Sequence, residues 1–261
     1  MDEELGWSDY QHSCWEMRYL GLLCPEGVDV EYDFKPAFTL MTANLGPGES
    51  LKVEPGAMVA QSRGVDMKTG MSSGGVGGFL KSMAKSAFGG ESFFVNTYTA
   101  GSAGGWVSMA PAAPGDIMEF DVAPGQELMM QGGSFMACTP NVETDTKFQG
   151  AKALFSREGA FFLRAFCESG PGKVYYTSYG AIKEIEVNQE NPIVVDNGHV
   201  VAFTGGLTYR LSKVGGLGSA WLGGEGAVLE FNGNGKVWIQ TRNLQSLAQR
   251  LIPFWPQNRS N

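Results

Sequence analysis

Gly115-Asp116-Ile117-Met118-Glu119-Phe120-Asp121-Val122 and Gly180-Ala181-Ile182-Lys183-Glu184-Ile185-Glu186-Val187 are one segment written twice, 65 residues apart. Each precedes a second matching block by the same distance. Gly132-Gly133-Ser134-Phe135-Met136-Ala137 and Asn197-Gly198-His199-Val200-Val201-Ala202 are glycine turns followed by apolar residues and alanine. Pro55-Gly56-Ala57-Met58-Val59-Ala60 is a third version, with Gly56 lying 77 residues before Gly133. Ahead of it, Leu40, Leu45, Gly48, Leu51 and Val53 fall in register with Ile117, Val122, Gly125, Leu128 and Met130. A fixed period of this size marks a repeated supersecondary unit.

The match continues downstream. Glu158-Gly159-Ala160-Phe161-Phe162 corresponds to Glu225-Gly226-Ala227-Val228-Leu229, and Glu91-Ser92-Phe93-Phe94 is the first-copy form. Gly172-Lys173-Val174-Tyr175-Tyr176-Thr177 corresponds to Gly235-Lys236-Val237-Trp238-Ile239-Gln240, with Gly105-Trp106-Val107-Ser108 in the first copy. The β-branched and aromatic runs read as strands, and Gly170-Pro171-Gly172 and Gly233-Asn234-Gly235 read as hairpin turns. Three copies follow, at 36–110, 111–179 and 180–243, within one domain spanning 36–243. Residues 1–35 form an N-terminal extension expected to pack on that core, and 244–261 form a C-terminal helix and tail.

Helical periodicity occurs in two places. Phe79 to Phe88 places apolar residues at 79, 80, 83, 84, 87 and 88 inside the longer first copy. Leu244, Leu247, Ala248 and Leu251 form the second stripe, with Asn243 as N-cap and Pro253 beyond the end. The expected fold is all-β, with three sandwich-like units in a pseudo-threefold arrangement, one short inserted helix and a C-terminal helix. Closure around a threefold axis is preferred over an open stack, because an open stack leaves raw sheet edges that invite aggregation.

Composition narrows function by exclusion. The 261 residues include 37 glycines and 12 prolines, as a chain of many short strands and tight turns requires. Nineteen basic against 27 acidic residues give a net charge of −8, which opposes nucleic-acid binding. The two histidines, His12 and His199, leave little for histidine-based catalysis or metal binding. Cys14, Cys24, Cys138 and Cys167 form no C-x-x-C motif and read as reduced thiols, with a Cys14–Cys24 disulfide as the alternative. The acidic N-terminus and the absence of a long apolar run predict a cytoplasmic protein.

Five stretches of this chain together resemble the altered-inheritance-of-mitochondria 24 family. They are Leu51 to Met58, Gly89 to Phe94, Ala110 to Ile117, Val195 to His199, and Gly224-Glu225-Gly226. The likeness spans about residues 36–243. It implies three copies of a fold like that of the trp RNA-binding attenuation protein, set as a pseudo-trimer, and no known catalysis. Fungal members of the family are associated with mitochondrial inner-membrane organisation.

Individual residues offer few chemical leads. The glycine cluster from Gly70 to Gly78 lacks a phosphate-loop pattern and reads as a flexible lead into the 79–88 helix, whose Lys81 and Lys85 give it a basic edge. Glu91, Glu158 and Glu225 hold equivalent positions and either face solvent or converge as a carboxylate trio. Asp196-Asn197-Gly198-His199 reads as a type I′ hairpin turn, with Gly198 at positive φ. We therefore expect no catalytic residues, no cofactor and no metal site. The expected function is that of a non-enzymatic scaffold or interaction protein, acting at a membrane surface or in an assembly. Its expected partner is an unidentified protein or a second copy, with peripheral membrane contact as a further expectation. The alternative is a small-ligand binder with pockets between the repeats.

Overall fold

The computed structural model describes residues 28–71, 94–147, 162–213 and 227–255. The expected 79–88 helix, Glu91, Glu158, Glu225, His12, Cys14 and Cys24 lie outside these residues. The described residues are all-β, as the glycine spacing and β-branched runs predict, with one short helix among them, near the C-terminus.

Strand β1 (Asp29–Asp33) precedes three successive groups of six strands. The first is β2 (Leu40–Leu45), β3 (Ser50–Val53), β4 (Met58–Gln61), β5 (Val65–Met71), β6 (Phe94–Ala100) and β7 (Gly105–Met109). The second is β8 (Ile117–Val122), β9 (Glu127–Gln131), β10 (Phe135–Cys138), β11 (Glu143–Lys147), β12 (Phe162–Phe166) and β13 (Gly172–Thr177). The third is β14 (Ile182–Val187), β15 (Ile193–Asp196), β16 (Val200–Thr204), β17 (Leu207–Lys213), β18 (Ala227–Gly233) and β19 (Gly235–Gln240). Helix α1 (Leu244–Leu251) follows, continued by a 3₁₀ turn at Ile252–Phe254.

Among the described residues every strand-to-strand pair is antiparallel, and the pairs within each group follow one scheme. In each group the first and third strands flank the sixth, and the second and fourth flank the fifth. Two three-stranded layers result, and each pair of layers shares an apolar core. Met41, Leu51, Val53, Tyr98, Val107 and Met109 fill the first core. Leu128, Met130, Phe135, Leu163, Val174 and Tyr176 fill the second. Val200, Phe203, Leu229, Phe231 and Val237 fill the third, where Phe162, Phe203 and Tyr209 stack edge to face with centroids 4.8 to 5.3 Å apart.

Groups join through a second strand and a third strand. β3 pairs with β10, and β9 pairs with β16, so two layers from different groups make one six-stranded sheet in each case. The corresponding union of β15 with β4 is not formed. Each of these strands ends its own sheet. The repeat predicts closure around a threefold axis; the hydrogen-bonded strands of the described residues stop one junction short of it.

The turn glycines Gly56, Gly133 and Gly198 each fall between the second and third strands of their groups. Their backbones differ. Gly56 has φ of +92°, whereas Gly198 lies in a 3₁₀ turn, Asn197–His199, capped by Asp196. The reading of 196–199 as a type I′ hairpin at positive φ is therefore corrected. The Asp196 carboxylate accepts from the Gly198 N–H at 2.9 Å, and this local capping sets the turn. Gly198 is required for another reason, since a Cβ there would lie 2.1 Å from the Asn243 side-chain nitrogen.

Candidate interaction surfaces

Three regions stand apart from ordinary strand packing. The first is a polar knot where group one meets group two. Thr39 and Asp116 immediately precede β2 and β8 and are both buried. The Thr39 N–H donates to the Gly115 carbonyl at 3.1 Å, and the Asp116 N–H donates to the Gly180 carbonyl at 3.1 Å. Asp116 Oδ1 accepts from Thr39 Oγ1 at 3.0 Å and from the Ile117 N–H at 2.8 Å, and pairs with Lys35 Nζ at 3.3 Å. A buried carboxylate needs such partners. Nearby, Tyr32 donates to Glu119 at 3.0 Å, and burial first, then the Glu119 charge, push its hydroxyl pKa far up. These groups tie β1 and the 34–39 segment to group two, which is a structural task.

The second region is the C-terminal element. Asn243 caps α1 by accepting from the Ser246 N–H at 3.1 Å, as its sequence position predicts. Leu244, Leu247 and Leu251 share one face of α1 at helical spacing, and none of its residues is buried. The apolar run continues through Ile252, Phe254 (84% exposed) and Trp255 (75% exposed). Charge is equally uneven. Residues 231–261 contain four basic residues and no acidic one, so all 27 acidic residues lie before position 231. No helix among the described residues is long and apolar enough to cross a membrane.

The third region comprises the unpaired edges of β4 and β15. Met58 (39%) and Val59 (60%) on β4 and Val194 (63%) on β15 are exposed. The residues at matching positions of β10 and β16 are fully buried. Sequence reading missed these edges, because Val59 is as apolar as its buried counterparts Met136 and Val201.

Several other ionisable groups hold strands together. Arg164 bridges Glu127 at 2.8 Å and Asp145 at 2.6 Å, and Lys236 pairs with Glu184 at 2.6 Å. His199 Nδ1 donates to the Gln240 carbonyl at 2.8 Å. Cys138 is buried, and its thiol pKa is pushed up to about 12, mainly by burial, which keeps it protonated and unreactive. Among the described residues no group of three His, Cys, Asp or Glu side chains is placed to hold a metal.

Comparison with known proteins places the chain in a class. Residues 32–242 match the family model described as mitochondrial biogenesis AIM24, and the chain belongs to that family. It is 29% identical over 222 residues to an uncharacterized protein of Streptococcus pyogenes serotype M6, covering 84% of this chain and 88% of that one. A crystal structure of a Streptococcus pyogenes protein superposes with a TM-score of 0.70 at 25% identity, covering 87% of this chain and all of the other.

Proposed function

We propose that this protein is a non-catalytic scaffold that docks on an anionic membrane surface through its C-terminal helix. The observation that carries this reading is the exposed Leu244, Leu247 and Leu251 face of α1, continued by the exposed Ile252, Phe254 and Trp255, in a stretch with only basic charges. An amphipathic helix with an apolar face, basic charge and adjoining aromatic residues lies in the headgroup boundary. Full burial of one large apolar side chain contributes roughly 1.5–3 kcal/mol. Each nearby basic residue adds about 1 kcal/mol at an anionic surface. The acidic body is repelled by the same surface, so the tail end leads. The engagement of ionisable groups in strand-to-strand pairs supports the non-catalytic part of the reading.

Vesicle flotation tests it. The full chain should float with phosphatidylcholine vesicles containing phosphatidylglycerol and remain behind with phosphatidylcholine alone. Trp255→Ala should weaken partitioning about tenfold, as the loss of roughly 1.4 kcal/mol predicts. Equal flotation of wild type and Trp255→Ala on anionic vesicles would discard the proposal.

A further inference from the structure

We infer that β4 and β15 are the two halves of one strand junction, formed head to tail between copies of this chain. The fold already contains two such junctions. In the β3–β10 pair, Val53 stands opposite Ala137 and Lys52 opposite Cys138. In the β9–β16 pair, Met130 stands opposite Ala202 and Met129 opposite Phe203. In both, the second strand of one group receives the third strand of the next. β15 is the second strand left over, and β4 is the third strand left over. Transferring the register places Ala60 opposite Val195 and Gln61 opposite Val194.

Edge chemistry separates these strands from the other sheet ends. Strands β1, β5, β8, β11, β14 and β17 also end sheets, and each carries two or three charged residues. Such charges are how natural proteins prevent edges from pairing. β4, Met58-Val59-Ala60-Gln61, has none. β15, Ile193-Val194-Val195-Asp196, has only Asp196, which caps the following turn. The edges built to stay unpaired are protected, and these two are not.

The same junction is open in the segments that precede each group's first strand. The Thr39 N–H reaches Gly115 in the next group, and the Asp116 N–H reaches Gly180 in the next. Ala181 is third in this series, and its N–H goes instead to Thr241 Oγ1 within its own group at 3.0 Å. Phe38, aligned with Gly115 and Gly180, is left 71% exposed. One chain thus carries two different complementary edges and leaves both unsatisfied. Such a pair is a heterologous interface, which builds closed rings or open filaments from identical copies.

Sedimentation of the full chain should show species larger than one chain, growing with concentration. Val59→Lys blocks β4, and Val194→Lys blocks β15; both side chains are exposed in the single chain, so circular dichroism should be unchanged. Each variant alone should sediment as a monomer. Mixed, they should give a dimer and nothing larger, because one good edge survives on each. Chains carrying Ala60→Cys should form disulfides with separately tagged chains carrying Val195→Cys, in a background with Cys14→Ser and Cys24→Ser. A monomeric wild type would overturn the inference. So would a doubly substituted Ala60→Cys, Val195→Cys chain that closes its disulfide within itself.

Discussion

Gly198 and Asn243 couple a turn to a helix through one close approach. A methyl group at position 198 would strike the Asn243 amide, and that amide group caps α1. Gly198→Ala should therefore uncap α1, weakening the helix itself by about 1 kcal/mol, the usual worth of an asparagine cap. Faster hydrogen exchange at the Ser246 amide is the readout. In an Asn243→Ala background the same substitution should change that exchange little, because contacting residues are not additive. Glu54 supplies a second test at this scale. Burial pushes its pKa up from 4.5 to about 7. Below pH 4.5 the carboxyl is protonated whether the chain is folded or not, so burial of its charge costs nothing. Above 4.5 the unfolded chain ionises first, and stability falls as pH rises through about 7. Glu54→Gln should match wild type in chemical denaturation at pH 4 and exceed it at pH 8. A constant difference across that range would show that Glu54 is not desolvated.

Among the elements, α1 contributes little to folding. None of its residues is buried, and the three cores are built from strands. Removing residues 244–261 should leave the thermal midpoint within a few degrees of wild type, since the loss of exposed contacts stays near 0.5 kcal/mol. The same truncation should abolish flotation with anionic vesicles. A large fall in the midpoint would instead give α1 a structural role. This element was legible in the sequence because its signals are local: an asparagine cap, a leucine stripe and a following proline. The 196–199 turn was misread because Asp-Asn-Gly suits a hairpin by composition. The alternative, a carboxylate capping two residues on, uses the same residue types. The strands were legible from glycine spacing and β-branched runs, and Val174 to Thr177 and Val237 to Gln240 fall in β13 and β19 as read.

The junctions between groups mark where sequence reading ran out at the scale of the whole molecule. Val59 occupies the position of Met136 and Val201, and Val194 that of Met129. An apolar residue there says that a strand must be covered. It does not say whether the covering strand comes from the same chain, because no local signal encodes long-range pairing. The candidate surfaces were legible in the same divided way: the helix from its pattern, the edges not at all. The uneven charge was present in the sequence but hidden in the net value of −8, which sums a basic C-terminal stretch and an acidic body. Head-to-tail union repeats one spatial operation, so every copy in a closed ring would turn its C-terminal helix toward the same side. On the proposed reading, a single helix of eight residues would leave a bilayer readily. Several helices on one rigid ring must all let go together, and a helix that detaches is held close enough to rebind before its neighbours follow. Residence on the lipid would then rise steeply with protein concentration, making attachment a count of assembled chains rather than a property of any one of them.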